Sequence, residues 1–279
     1  MSYLQSLKLI LITFTLLLCA NLPAQLQKNG LEIPKLKRGE EIVKHTGFSL
    51  VYSEKDEQAK WVAYTLTKEQ AASDVAERKD NFITDPSIKT GSADEKWYVH
   101  SGFDKGHLCP ANDNTWSVDA MHDCFYMSNM SPQLPEFNRG IWKSLEMDIH
   151  DLALDYDTLY IVTGPVLKSK HKLATLKPVG HPELVEGHAV LENHTESFLR
   201  RQESTLFSIS IPEYFYKVIL TYGKEPKAWG YLIPQNTTEK DYNKYSVSVD
   251  EVEKATGLDF YRVLEDKVEK RIVKQINMD

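Results

Sequence analysis

The sequence is short of features that mark several protein classes. Its 279 residues hold three cysteines, too few for a disulfide scaffold to stand in for a hydrophobic core. The apolar run Leu9–Ala20 spans twelve residues, whereas a membrane span needs about 20. Positive charge is not in surplus: 33 Lys+Arg against 40 Asp+Glu give a net charge of −7, which argues against a surface that is basic throughout. No internal repeat is present, so a solenoid is excluded. What is there is a hydrophobic content of 42% and a charged content of 26%. That balance specifies a folded globular chain with a sizeable core, not a disordered or collagen-like one.

The first 24 residues read as a secretory signal. Lys8 precedes the Leu9–Ala20 run, and Ala24 is a small residue at the expected cut, with Leu22 a weak fit two positions before it. Cys19 suggests lipid attachment, but the bulk of Leu18 argues against it. Cleavage leaves 255 residues near a charge of −8, secreted or periplasmic and without a stable membrane partner. Cys109 and Cys124 are then the thiols left, and a disulfide between them would close a loop of about 15 residues, worth ~3 kcal/mol. Whether they pair is left open by their spacing.

Along the remaining chain, Phe48–Ser53 and Trp61–Leu66 alternate and carry aromatic and β-branched residues, as strands do. A further strand is expected over Lys96–His100 towards Phe103. Pro132 and Pro135 exclude regular helix, after which Phe137, Ile141, Leu145 and Ile149 recur every four residues and predict a helix over Phe137–Leu152. Core strands are expected at 158–164, 214–222 and 228–234. Ser248 and Glu251 form a capping-box pattern opening a short helix that ends at Gly257, and a charged helix over roughly 264–275 follows. Residues 178–205 lack either periodicity. Their histidines, His181, His188 and His194, fit no compact metal site, and the stretch reads as a solvated, mobile insertion. Strands and helices mix without a βαβ rhythm, so the expected class is α+β, in one domain over residues 25–279.

Chemistry concentrates in residues 104–146. Asp104-Lys-Gly-His107 places an acid, a cation and an imidazole within four residues, and Gly106 lets backbone approach a ligand. Asn138 opens the predicted helix and Glu146 lies eight residues on, an offset of about 80° that allows both to face one cleft. An amide oxygen and a carboxylate are hard ligands suited to Mg²⁺ or Ca²⁺. Beside a histidine base, such a site can hydrolyse a phosphodiester. Trp142 reads as core packing, and Asp104 as a support for its loop.

Asp104–His107, Asn129–Gln133 (Asn-x-x-Pro-Gln) and Asn138–Glu146 (Asn-x-x-x-Trp-x-x-Leu-Glu) together resemble the DNA/RNA non-specific endonuclease family. These are endonuclease G-like enzymes among the ββα-metal, or His-Me finger, nucleases. Segments 61–67, 81–86, 162–165 and 211–217 resemble the family too. The resemblance implies an α+β fold with a mixed or antiparallel central sheet, flanking helices and a ββα-metal motif. It implies hydrolysis of DNA and RNA, without sequence preference, to 5′-phosphate ends. It makes His107 the general base, Asn138 the one direct protein ligand of Mg²⁺ (Mn²⁺ substituting), and Glu146 the holder of a water of that ion. Asn129 would orient His107 or the phosphate. Lys105 stands where the family carries arginine, keeping charge but losing bidentate geometry. Arg78 is the candidate for a second phosphate-binding arginine. The stretch 178–205 looks inserted relative to the family.

Lys105, Arg139, Lys143 and the ion would supply positive charge at the cleft, which answers the objection from net charge. Two rival readings keep the residues but change the role. In one, the same cleft binds nucleic acid or a partner without catalysis. In the other, His107-Leu-Cys109 and His122-Asp-Cys124 form a structural Cys₂His₂ zinc site.

Overall fold

The computed structural model describes residues 30–168, 172–176, 206–222, 225–264 and 266–272. The proposed leader and the stretch 178–205 lie outside these. The described residues from Leu31 onward form one compact unit.

The alternating segments pair into a seven-stranded sheet. In chain order its strands are β1 (Val43–Lys44), β2 (Ser49–Ser53), β3 (Gln58–Thr67), β6 (Thr158–Pro165), β9 (Tyr214–Thr221), β10 (Lys227–Pro234) and β11 (Ser246–Val247). Their spatial order is β1-β2-β3-β6-β9-β10-β11, and every pairing is antiparallel. Two small hairpins stand apart: β4 (Asp104–His107) with β5 (Met130–Gln133), and β7 (Lys172–Leu176) with β8 (Leu206–Ser210). The class is α+β, as expected.

Period-2 alternation divides each central strand between two cores. Val62, Tyr64 and Leu66 of β3, Leu159 and Ile161 of β6, and Phe215 and Ile219 of β9 enter one. Trp61, Ala63, Tyr160, Val162, Tyr216, Val218 and Leu220 enter the other. Each large side chain so buried contributes about 1.5–3 kcal/mol. The first core is covered by the short helices α1 (Lys68–Ala71) and α2 (Val118–Asp123), through Ala71 and Met121, and by α3 (Lys143–Ala153) through Leu145, Ile149 and Ala153. The second is covered by α4 (Val249–Thr256) through Val249 and Val252. Helix α4 follows its expected signals: Ser248 and Glu251 form the reciprocal capping box, and Gly257 closes the helix at φ 72°. The terminal helix is observed over α5 (Asp266–Ile272). Among the described residues no helix is long and apolar enough to cross a membrane.

Two elements differ from expectation. Glu95–Tyr98 is a 3₁₀ turn capped by Asp94 instead of a strand, because Trp97 and Tyr98 bury together in a small satellite core. Extended pairing starts only at Asp104. The helix expected over Phe137–Leu152 is regular only from Lys143. Phe137–Trp142 is a π-helical turn interrupted at Gly140, whose φ of −106° and ψ of −110° no helix tolerates. The four-residue apolar spacing survives because Phe137, Ile141 and Trp142 still bury.

Candidate active site

Strands β4 and β5 followed by the Phe137–Trp142 turn and α3 make a ββα unit around a cavity of about 870 Å³. His107 ends β4 opposite Met130 and is wedged between aromatic rings, edge-on to Phe125 at 5.0 Å and 5.8 Å from Phe82. Its Nε2 is shielded from solvent and has no hydrogen-bond partner among the described residues. Burial pushes the imidazole well below its usual basicity, Arg78 adds to this and Asp80 opposes it. The ring is therefore neutral at neutral pH, with a lone pair available.

Asn138 enters the cavity from the π-helical turn. Its Nδ2 donates to Asp104 Oδ2 at 2.9 Å, so Oδ1 is the atom left to meet a ligand. Asp104 also accepts a bidentate pair from Arg139, at 2.8 Å from Nε and 2.7 Å from Nη2. Despite partial burial, these bonds hold the Asp104 carboxyl below its ordinary range. Asp104 thus organises the site, in keeping with its expected supporting role. Glu146 lies on α3 with its side chain 16% exposed. Burial pushes its carboxyl up to about 7, Lys217 opposing the shift. Arg78, Lys105, Arg139 and Lys143 line the same cavity. Lys105 Nζ sits 4.0 Å from the centre of the Phe82 ring and 3.3 Å from Glu95. The arginine-to-lysine change therefore keeps a cation at the wall.

Asn129, expected among the catalytic residues, is fully buried and is not among the residues lining the cavity. Its Oδ1 accepts from Cys109 N at 2.9 Å, and its Nδ2 donates to the carbonyls of Cys109 at 2.9 Å and Cys124 at 2.8 Å. Every polar atom of the amide is spent clamping the backbone just past His107. The part of its expected role that concerns orienting His107 matches this placement; contact with phosphate does not. Gly106 also differs: the space a Cβ would need, 2.2 Å away, is filled by the Gln133 side chain and not by ligand.

The zinc arrangement does not assemble. Cys109 and Cys124 are buried free thiols, with the Cys109 Sγ accepting from Asn114 and the Cys124 Sγ donating to Met121 O. Burial raises both, Cys124 to about 12, which keeps them protonated and poor metal ligands. Neither forms the disulfide. Among the described residues no three His, Cys, Asp or Glu side chains converge on a metal position. The Asn138 amide oxygen is a hard donor, and a site with so few direct protein ligands fits a hard ion that keeps most of its water.

Sequence reasoning counted Asp113 among the reactive residues of 104–146 but missed two groups at the cavity, His150 in its lining and the buried Lys217. Asp113 accepts from Tyr64 at 2.9 Å and pairs with His150 Nδ1 at 2.8 Å, raising the histidine. Lys217, wholly buried in β9, approaches Glu146 to 3.5 Å. A lysine at a core-facing position of the apolar Tyr214–Thr221 strand was the available signal.

A sequence profile described as DNA/RNA non-specific endonuclease matches residues 24–267. Nuclease EXOG, mitochondrial, of Xenopus laevis is 29% identical over 239 residues, covering 81% of this chain and 60% of its own length. Endonuclease G, mitochondrial, of Homo sapiens is 28% identical over 245 residues, covering 85% and 73%. A nuclease of Syncephalastrum racemosum is 31% identical over 234 residues, covering 81% and 68%. The chain thus spans about three fifths of the length of the EXOG relatives. A solved EndoG/EndoGI complex superposes with a TM-score of 0.64 at 24% identity, over 84% of this chain and 89% of that one, and shows the shared fold. The expectation of a secreted or periplasmic protein is overturned: EXOG, endonuclease G and the Saccharomyces cerevisiae relative are mitochondrial nucleases. With export goes the oxidising compartment on which the disulfide argument stood.

Proposed function

We propose that this chain, which belongs to the DNA/RNA non-specific endonuclease family, is a Mg²⁺-dependent endonuclease that hydrolyses DNA and RNA to 5′-phosphate ends. The observation that carries the reading is the convergence of a neutral, unpartnered imidazole at His107, a tethered amide at Asn138 and a buried carboxylate at Glu146 on one cation-lined cavity.

His107 lines the cavity, where its imidazole would take a proton from the attacking water, and the Phe82 and Phe125 rings packed on it cannot compete for that proton. An anionic phosphodiester in the cavity favours the protonated ring and moves its basicity back up. Asn138 Oδ1 would hold the divalent ion, and Asp104 fixes that oxygen's orientation through Nδ2. When bound, the ion neutralises charge developing on the phosphoryl and leaving 3′ oxygens. Glu146 accepts hydrogen bonds from water beside Asn138. Arg78, Lys105, Arg139 and Lys143 hold the phosphates flanking the scissile one without reading bases, which gives binding without sequence preference.

The test is plasmid nicking with Mg²⁺, with EDTA and by His107→Ala. Cleavage by the wild type with Mg²⁺, none with EDTA, and a loss of about 10²–10⁴-fold in the variant are expected. Equal cutting in all three would overturn the reading.

A further inference from the structure

Lys217 sits mid-strand in β9, between Thr163 of β6 and Tyr231 of β10, with its side chain fully buried. Phe215 and Ile219, two positions to either side, enter the core under α3, so alternation sends Lys217 to the same face. There Nζ stands 3.5 Å from Glu146 Oε1, 5.0 Å from the centre of the Trp142 ring and 6.0 Å from that of Tyr64. Among the described residues neither Nζ nor Oε1 has a hydrogen-bond partner. A buried ammonium costs stability unless something compensates it, and an apolar side chain would suit this core better. The lysine therefore answers a need of the carboxylate above it.

We propose that Lys217 is a positioning residue of the cavity, a counter-ion in the sheet that keeps Glu146 charged and turned towards the reacting water. This rests on the hydrolytic reading of the cavity. The groups around Glu146 support it. From β3 comes the Tyr64 phenol, which is neutral. From the turn Ala111–Asn114 comes Asp113, whose charge disfavours a second carboxylate and which His150 partly neutralises. On Glu146's own helical segment lie Trp142 and the cavity-lining Lys143. Burial and Asp113 both favour the protonated acid; Lys217 is the buried cation that opposes them. The two rings beneath it hold the ammonium without competing for the carboxylate, since their faces attract a cation and offer it no anion.

The experiment is a double-variant cycle in the full chain, with Lys217→Met, Glu146→Gln and both together, plus Lys217→Arg. Plasmid nicking is followed against pH at saturating Mg²⁺, and melting temperature is measured on the same samples. Lys217→Met is expected to move the acid limb of the profile upward by about one pH unit and to lower the rate at pH 6 roughly tenfold, while Lys217→Arg restores part of both. In the Glu146→Gln background Lys217→Met should cost little more activity, and the double variant should melt above Lys217→Met alone. A wild-type pH limb in Lys217→Met, or fully multiplied losses, would overturn the proposal. If Lys217→Met does not fold, recovery of the fold in the double variant supports it and failure to recover overturns it. If the wild type does not nick at all, the hydrolytic reading fails, and the melting cycle alone decides whether the two charges are coupled.

Discussion

Asp104→Ala removes the group that both orients the proposed metal ligand and holds an arginine at the rim. The carboxylate accepts from Asn138 at 2.9 Å and from Arg139 at 2.7 and 2.8 Å. The arginine side chain is 72% exposed, so solvent screens that pair and it adds little to stability despite its bidentate geometry. The bond to Asn138 is partly buried and charge-assisted, worth about 1.5 kcal/mol. Loss of both should therefore lower stability by about 1.5 kcal/mol, nearly all of it from the Asn138 bond, a modest change in the urea midpoint. The larger effect is on the ion: loss of a partner that fixes a metal ligand typically costs 10–100-fold in affinity. Half-saturating Mg²⁺ in a nicking titration, checked by calorimetric Mg²⁺ binding, should rise by that factor. Arg139→Ala, which keeps the Asn138 bond, should leave it nearly unchanged while weakening DNA binding. Unchanged Mg²⁺ affinity in Asp104→Ala would refute the assignment of Asn138 as ligand and of Asp104 as its tether.

Asp85 joins three segments by accepting from His45 at 2.9 Å, Ser128 at 2.5 Å and Ser87 N at 2.8 Å, so Asp85→Asn should cost about 3 kcal/mol in urea denaturation. Although burial pulls the other way, those bonds hold its carboxyl below the usual range, so its contribution is present above about pH 4 and fades as pH falls, and the gap between variant and wild type should close there. The opposite sign holds for His150, which its bond to Asp113 raises: the stability it supplies is complete below about pH 6.5 and is lost as pH rises through the higher folded value. His150→Gln should flatten that decline in a melting series from pH 6 to 9. Nicking should fall steeply between 50 and 200 mM salt on the order-of-magnitude scale of phosphate binding, and less steeply in Lys143→Ala; indifference to salt would contradict the electrostatic account.

Much of the fold could be read from the chain because its signals are local. Strand alternation at 48–53, 61–66, 158–164, 214–222 and 228–234, and the Ser248–Gly257 caps, each depend on residues within a few positions of one another. The site was legible in part for a different reason: His107, Asn138 and Glu146 fall in one 40-residue stretch whose spacing resembles a known family. What could not be read was long-range. Trp97 and Tyr98 turn away from strand geometry because Met127, Met130 and Ile209 wait to cover them, and no local pattern announces that. Asn129 was read as orienting His107 or the phosphate, and its three backbone partners, at Cys109 and Cys124, come only from the fold. Lys217 lies 71 positions past Glu146, and only sheet register places one beneath the other.

A sheet with apolar layers against both faces also acts as a partition. Everything implicated in chemistry stands on the α3 side, whereas Trp61, Tyr216, Phe260 and their neighbours fill the opposite layer. Changes in that rear compartment should be felt as altered resistance to heat or protease and scarcely at all as altered turnover. The protein has room to drift there, trading robustness up or down, while the catalytic half stays as it is.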